Sequence, residues 1–291
     1  MTAKILNFSL GAGAPRAGLL VGNHVFEAPR ATVQELLTAD LASLEARGDG
    51  LPLAEVKLHA PLLYPGTIYC AGANYADHVA EMARAQNLPP PPDPRSLGLK
   101  PWFFIKPPRA CVVGPGERIP RPRGSHKLDW EVELVAVIGR PCRNVSVAGA
   151  LKHVAGYTIA DDLSARDLSR RTQLPPGNPF HFDWTAHKGF EGSCPLGPWI
   201  TLAAEVPDPQ RLFIRLWVNG VLKQDSNTAE MIFSTAEQIA HLSSLSTLYP
   251  GDIVLTGTPA GVGTARNEFL QPGDHVELEI ERIGRLEHWI A

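Results

Sequence analysis

Glu131 and Glu133 are the residues whose types and spacing most directly suggest chemistry. They lie in residues 130–139, a run of β-branched and apolar residues closed by Gly139, which predicts a buried strand. Side chains two residues apart on a strand point to the same face, so Asp129, Glu131 and Glu133 share one face. Buried carboxylates are costly unless they are paired, and the simplest partner is a hard divalent cation such as Mg²⁺ or Mn²⁺. For the pair alone, a half-solvated strand is the alternative interpretation.

A third carboxylate follows a second apolar strand, which is predicted over residues 154–162. Asp161 and Asp162 end this strand and face opposite ways if it continues, so we expect one of them to be a metal ligand. Spacing does not choose between them. The alternative is that Asp162 or Ser164 caps a helix that runs from Arg166 onward.

His78 and Glu81 form a second candidate group on a helix predicted over residues 75–82. Residues three apart share a helical face, and a carboxylate beside an imidazole raises its basicity, as a general base requires. An ordinary ion pair on a surface helix is the alternative. The Pro-rich run 89–94 cannot be helical, so the short helix and this loop could form a lid over a ligand.

The elements that position these residues divide into a small unit, residues 1–60, and a larger domain, residues 61–291. In the small unit, Gly22-Asn23 predicts a hairpin. The capping box from Thr32 to Glu35 predicts the start of a helix that ends at Gly48. We see no chemistry in this unit.

The larger domain is predicted to be rich in strands. Besides the two acidic strands, the sequence predicts the following elements: strands at 66–70, 103–106 and 253–255, an Asn219-Gly220 hairpin, and a helix opened by a Ser234–Glu237 capping box.

Composition narrows the possible functions. The 291 residues are 44% hydrophobic and 20% charged, with a net charge of −3. There is no basic block, which argues against a nucleic-acid partner. No apolar run reaches membrane-spanning length, and the first residues lack a signal-peptide core, so we expect no membrane partner. The four cysteines are scattered, which predicts reduced thiols and a cytoplasmic location.

Taken together, these motifs resemble the fumarylacetoacetate hydrolase family, in its acylpyruvase-like and hydroxyheptadienedioate isomerase-like branch. The resemblance covers roughly residues 66–291 and rests on five stretches in family order. They are Asn74–Met82, Trp130–Leu134, Asp162–Asp167, Trp184–Gly197 and Gly251–Gly263.

The resemblance implies a role for each candidate residue. It selects Asp162 over Asp161, because the family ligand begins the Asp-x-Ser/Thr-Ala-Arg-Asp pattern. It implies an α+β, β-rich fold: a mixed β-roll catalytic domain beside a small N-terminal α/β domain, usually as a homodimer. The implied site residues are Glu131, Glu133 and Asp162 as ligands of Mg²⁺ or Mn²⁺, His78, Glu81 and Lys188 as catalytic residues, and Thr258 as a substrate contact.

The function expected from this set is metal-dependent hydrolysis of a C–C bond in an acylpyruvate or related 2,4-dioxo acid. A bound cation would polarise the 2-oxo group and favour the enolate. The alternative is an isomerase, tautomerase or decarboxylase of a hydroxymuconate-like or oxaloacetate-like acid in aromatic catabolism. A non-catalytic small-molecule binder is a third hypothesis, which the complete ligand set disfavours.

Several other polar residues near these stretches have no role in this prediction. Lys188 by itself could be a solvated loop lysine, and Thr258 an ordinary turn residue. Arg166, Arg170 and Arg171 could meet a second substrate carboxylate, but their positions are not predicted. Since the metal site is complete in oxygen, the remaining histidines near these stretches are expected to be loop residues or to have hydrogen-bonded rings. They are His126, His181 and His187.

Overall fold

A computed structural model describes residues 4–291 as an α+β fold rich in strands, as predicted. The strands form a twelve-stranded sheet, a five-stranded sheet and one separate pair. In chain order they are β1 Lys4–Ser9, β2 Arg16–Val21, β3 His24–Glu27, β4 Leu51–Pro52, β5 Lys57–His59, β6 Ile68–Ala71, β7 Phe103–Lys106, β8 Val112–Val113, β9 Arg118–Ile119, β10 Leu128–Asp129, β11 Val132–Ile138, β12 Val154–Asp161, β13 Ser164–Ala165, β14 Cys194–Leu202, β15 Phe213–Val218, β16 Val221–Asn227, β17 Ile253–Leu255, β18 His275–Ile280 and β19 Gly284–Ile290.

The helices are few and short. They are α1 Val33–Leu36, α2 Ala76–Ala85, α3 Pro108–Cys111, α4 Val147–Ala150, α5 Trp184–Lys188 and α6 Thr235–Leu245. Within residues 4–291, none of the helices is long and apolar enough to cross a membrane.

The large sheet has the order β4-β3-β2-β1-β14-β12-β11-β17-β6-β7, with β5 beside β1 and β8 beside β14. The smaller sheet has the order β16-β15-β18-β19-β9, and β10 pairs with β13. Strand β11 lies at the centre of the large sheet, antiparallel to both β12 and β17. The strands that carry the candidate ligands are therefore held on both sides by paired neighbours.

Strand β11 separates two apolar cores. Val132 and Leu134 pack in a core shared with the five-stranded sheet, and Val135 and Val137 pack in a second core shared with the N-terminal strands. The prediction of a strand buried on both faces is confirmed. The strand begins later than predicted, because Asp129 accepts a hydrogen bond from the Trp130 N–H (2.9 Å) and so interrupts the ladder.

The N-terminal hairpin is confirmed, since β2 and β3 pair around the Gly22-Asn23 turn. Strand β1 pairs with β14, so the N-terminal strands extend the large sheet. The division into residues 1–60 and 61–291 stays a prediction.

The helix predicted from Thr32 to Gly48 is wrong. Thr32 does cap α1, but this helix ends after one turn at Leu36. Asp40 then accepts a hydrogen bond from the Ala42 N–H (3.1 Å) and starts a separate 3₁₀ turn. Aspartate competes for backbone N–H groups in this way, which favours caps over helix interiors.

The capping box of α6 is confirmed, and it supports a stability prediction. Ser234 Oγ accepts from the Glu237 N–H (3.3 Å), and Glu237 accepts from the Ser234 N–H (2.8 Å). We expect Ser234→Ala to lower the free energy of unfolding by about 1 kcal/mol, as loss of an N-cap typically does. Urea denaturation measures the change. Ser244→Ala, which removes an exposed hydroxyl that donates to the His241 carbonyl (2.7 Å), is the control and should shift the midpoint far less.

Candidate active site

The carboxylates of Glu131, Glu133 and Asp162 form a buried cluster. Each offers an oxygen within 4.8 Å of the others. The antiparallel register pairs Val132 of β11 with Asp161 of β12. The residues that flank this pair, Glu131 and Asp162, therefore lie opposite each other. Three buried carboxylates at this spacing are a donor set that suits a hard divalent cation. The three predicted ligands are therefore held together by strand pairing.

Asp161 and Asp162 point to opposite sides, as the strand geometry requires. Asp161 Oδ1 accepts from the Glu131 N–H (2.7 Å), and its Oδ2 lies 2.8 Å from His288 Nε2, with both side chains fully buried. Only Asp162 faces the carboxylate cluster. Asp161 instead holds the backbone of the first glutamate in place.

Three cationic side chains contact the cluster. Lys188 Nζ donates to Glu131 Oε2 (2.7 Å) and Asp162 Oδ2 (2.6 Å). Lys106, fully buried, pairs with Asp162 Oδ1 (2.7 Å), and Arg166 pairs with Glu131 and with Asp129 Oδ2 (2.8 Å). Four carboxylates (the cluster and Asp129) thus face three cations. With all four carboxylates ionised, one negative charge is in excess, and a divalent cation would offset it.

The pKa values of the two glutamates diverge. Burial raises the pKa of Glu133, and the charges of Asp162 and Glu131 raise it further. Burial acts in the same direction on Glu131, but the adjacent Lys188 and Arg166 outweigh it and hold the Glu131 pKa below its usual range. Glu133 is therefore the candidate ligand whose ionisation depends most on a further cation.

His78 lies in the wall of the same cavity, whereas Glu81 does not. The His78 Nδ1 has no hydrogen-bond partner within residues 4–291. Burial lowers the His78 pKa and Glu131 partly opposes this, so the ring is neutral near pH 7. Glu81 Oε2 instead accepts from the Gly261 N–H (2.7 Å). Helix α2 is confirmed, but in this structure its glutamate is bound to a turn and not to the imidazole.

Thr258 lies in the cavity wall, and a hydrogen bond from Gln224 fixes the orientation of its hydroxyl. Gln224 Nε2 donates to Thr258 Oγ1 (2.9 Å), and Gln224 Oε1 accepts from the Val132 N–H (3.0 Å). Because its oxygen already accepts a hydrogen bond, the Thr258 hydroxyl hydrogen is available to a ligand.

Aromatic side chains line part of the cavity, whose volume is about 160 Å³. The Trp184 ring lies 5.5 Å from Trp102 and 5.1 Å from Phe104, centroid to centroid. Trp102 also packs against Gly72, where any Cβ would overlap the indole. A cavity this small suits a compact acid and not a drug-sized ligand.

The loop arginines that could not be placed from the sequence have separate positions. Arg166 lies in the cavity wall. Arg171 pairs with Asp183 and donates to the Phe180 carbonyl (2.8 Å), while Arg170 lies over the Phe182 ring. Arg170 and Arg171 therefore hold the loop around residues 172–183, and neither lines the cavity.

Three histidines were expected to lie in loops or to have hydrogen-bonded rings, and His187 is the exception. His126 is exposed, and His181 Nδ1 lies 2.8 Å from the Leu174 carbonyl. His187 is buried in the cavity wall, and neither ring nitrogen has a hydrogen-bond partner within residues 4–291. For His187 the prediction was wrong, because it lies next to Lys188 on α5 and faces inward with it.

Sequence reasoning also missed Lys106 and Trp102. Lys106 ends the predicted strand at 103–106, and a lysine at the end of an otherwise apolar run was the available signal. No pattern in the sequence indicates that it reaches Asp162, 56 positions away, because that contact depends on tertiary structure.

Comparison with known proteins gives matches over most of the chain. Residues 67–291 match the family described as Fumarylacetoacetate (FAA) hydrolase C-terminal. The chain is 40% identical over 245 residues to human mitochondrial oxaloacetate tautomerase FAHD2B, covering 83% of this chain and 72% of that protein.

Two solved structures are similar over nearly the whole chain. One is 2-hydroxyhepta-2,4-diene-1,7-dioate isomerase from Mycobacterium marinum, with a TM-score of 0.76, 32% identity, and 100% of this chain and 98% of that one covered. The other is 5-carboxymethyl-2-hydroxymuconate delta-isomerase from Mycobacterium smegmatis, with a TM-score of 0.76, 31% identity and 99% of both chains covered.

Proposed function

Because the chain belongs to the fumarylacetoacetate hydrolase family, we propose that it is a divalent-metal-dependent tautomerase of a small 2-oxo diacid such as oxaloacetate. The reaction would interconvert the keto and enol forms. The relative named as an oxaloacetate tautomerase and the two similar isomerases support this class of reaction. It corresponds to the alternative predicted from the sequence, and hydrolysis of an acylpyruvate stays a prediction.

The carboxylate cluster in its small, cation-lined cavity is the observation that carries the proposal. Glu131, Glu133 and Asp162 would hold Mg²⁺ or Mn²⁺. When bound, such an ion supplies Lewis-acid polarisation of the substrate's 2-oxo group. Lys188 and Arg166 place positive charge beside the position where the substrate becomes negative, which lowers the energy of the enolate.

His78 is the group that moves the proton. Its neutral ring would take a proton from carbon 3 of the keto form, and the 2-oxo oxygen of the resulting enolate would take a proton from water to give the enol. The reverse direction runs the same two proton transfers backward. The Thr258 hydroxyl would donate to the substrate carboxylate and fix the plane of the acid.

The position of Glu81 favours tautomerisation over hydrolysis. Hydrolysis requires an activated water, and a histidine oriented by a carboxylate is the arrangement that provides one. Glu81 instead accepts from the Gly261 N–H. Tautomerisation needs one proton-transfer group at carbon 3 and stabilisation of the enolate, and His78 and Lys188 provide these without Glu81.

The test is a substrate panel with two readouts. Loss of enol absorbance would be followed for oxaloacetate and for acylpyruvates, with Mg²⁺ or with chelator, while pyruvate is assayed in the same samples. We expect metal-dependent loss of the oxaloacetate enol with no pyruvate above the enzyme-free rate. Pyruvate release from an acylpyruvate at a comparable rate would instead establish the hydrolase.

Substitutions of His78 and Glu81, both on α2, distinguish the roles of these two candidate residues. We expect His78→Ala to lower kcat for oxaloacetate tautomerisation by about 100-fold or more, the usual effect of losing a general acid–base group. Glu81→Gln keeps an oxygen that accepts from the Gly261 N–H, so its kcat should fall far less. Equal losses in the two variants would contradict this division of roles, and steady-state kinetics at saturating Mg²⁺ decide it.

The predicted homodimer and cytoplasmic location stay predictions. Ile105, 60% exposed on the edge strand β7, is an apolar side chain that a second subunit could cover.

A further inference from the structure

His187 is a buried polar side chain that the reaction described above does not use. It lies on α5, one residue before Lys188, and is 6% exposed. Its ring is in the wall of the active-site cavity, 5.7 Å from the Trp184 ring between centroids. Neither Nδ1 nor Nε2 has a hydrogen-bond partner within residues 4–291.

An imidazole buried without a partner is costly and needs an explanation, because buried polar groups in folded proteins are nearly always hydrogen-bonded. The charged groups nearest to it are already paired: Lys188 with Glu131 and Asp162, and Arg166 with Asp129. The cavity they share is open to a ligand. A ligand that enters this cavity is therefore the natural partner for the ring.

We propose that His187 contacts the substrate, donating an N–H hydrogen bond to an oxygen on the group that follows carbon 3. This inference rests on the proposed function and names the residue that would recognise the second acid group of its substrate. The acid would need a second carboxylate or carbonyl beyond the 2-oxo acid end, as oxaloacetate has. A 2-oxo acid with an apolar end would leave the ring unpaired and bind weakly.

The positions of the groups assign His187 to this end of the substrate. In the proposed function the 2-oxo acid end would lie toward Glu131, Glu133 and Asp162. His187 bonds to none of these carboxylates and lies beside the aromatic wall formed with Trp184. It therefore meets the other end of the molecule.

The electrostatics agree with a neutral donor. Burial and then the positive charge of Lys188 lower the pKa of His187 to about 2. A neutral imidazole carries one N–H donor and one acceptor nitrogen, so it can donate to an oxygen without bringing a further charge into the cavity.

Two variants and two ligands test the proposal in the Mg²⁺-loaded protein. His187→Phe keeps a ring without a donor, and His187→Gln keeps an N–H donor. Oxaloacetate has the second carboxylate group, whereas oxalate represents only the 2-oxo acid end. We expect His187→Phe to raise KM for oxaloacetate about 10- to 100-fold. The inhibition constant of oxalate should stay unchanged, and His187→Gln should recover much of the oxaloacetate affinity.

His153→Phe is the matched control. The Nδ1 of His153 is also buried without a partner, but this residue lies outside the cavity wall. Its KM for oxaloacetate should equal that of the unsubstituted protein. An unchanged KM in His187→Phe, or an equal loss of oxalate and oxaloacetate affinity, would overturn the proposal, since equal loss indicates a structural role.

A binding measurement keeps this test independent of turnover. Trp184 lies beside His187, so quenching of tryptophan fluorescence reports binding of each ligand directly. If the unsubstituted protein binds oxaloacetate without interconverting its tautomers, the proposed function fails. The difference between oxaloacetate and oxalate binding in His187→Phe still decides the role of this histidine.

Discussion

Glu133→Gln is expected to abolish divalent-cation binding and activity without weakening the metal-free protein. Glu133 accepts one hydrogen bond, from the Gly257 N–H (2.6 Å), and forms no ion pair within residues 4–291. Burial and two neighbouring carboxylates already disfavour its charge, so a neutral amide of the same shape removes repulsion. Metal affinity should fall by more than the roughly 10- to 100-fold that loss of an outer-shell partner causes.

Calorimetric titration with Mn²⁺ measures the affinity, and thermal unfolding in chelator measures the stability of the metal-free protein. Asp162→Asn is the contrasting variant. It also removes one charge from the cluster, but it takes from Lys106 its ion-pair partner and from Lys188 one of two, and should lower the unfolding temperature in chelator. A Glu133→Gln protein that binds Mn²⁺ as well as the unsubstituted protein would contradict the assignment of this residue as a ligand.

The second large effect is on stability. Lys106 is fully buried, pairs with Asp162 Oδ1 (2.7 Å) and donates to the Leu163 carbonyl (3.2 Å). Burial opposes its charge, but Asp162 outweighs this and raises the Lys106 pKa above its usual value. Lys106→Met leaves part of the Asp162 charge buried without a partner. We expect it to lower the free energy of unfolding in chelator by about 3–5 kcal/mol.

Saturating Mg²⁺ should recover part of this loss, because a bound cation supplies Asp162 with another partner. Urea denaturation with and without Mg²⁺ measures both effects. Lys57→Met breaks an exposed pair with Glu117 (3.0 Å) and is the control, with an expected change within about 1 kcal/mol. An equally small change in Lys106→Met would show that the buried pair does not stabilise the site.

Local patterns were enough to predict the elements at the centre of the site. The alternation of Glu131 and Glu133 on an apolar strand follows from backbone geometry, and both carboxylates do face one cluster. Asn219-Gly220 and the Ser234 capping box are also local signals, and both were confirmed. These features depend on residues within a few positions of each other.

What could not be predicted depends on tertiary contacts. Strand geometry alone leaves Asp161 and Asp162 equivalent, and the family resemblance was needed to select Asp162. In the structure the distant His288 contacts Asp161, which is turned away from the cluster. Glu81 has the right spacing for His78, yet the Gly261 backbone, 180 positions later, takes its carboxylate. The prediction for His187 was wrong for the same reason. Whether a histidine ring has hydrogen-bond partners depends on the neighbours that the fold supplies.

The most direct test of the account is hydrogen exchange at carbon 3 of oxaloacetate in D₂O, followed by proton NMR with pyruvate measured in the same spectrum. Keto–enol interconversion replaces the carbon-3 hydrogens with deuterium and leaves the carbon skeleton intact. The account predicts exchange faster than in an enzyme-free sample, lost in chelator and in Glu133→Gln, with pyruvate forming at the enzyme-free rate. Exchange that persists in chelator, or pyruvate that accumulates in step with it, would contradict a metal-dependent tautomerase.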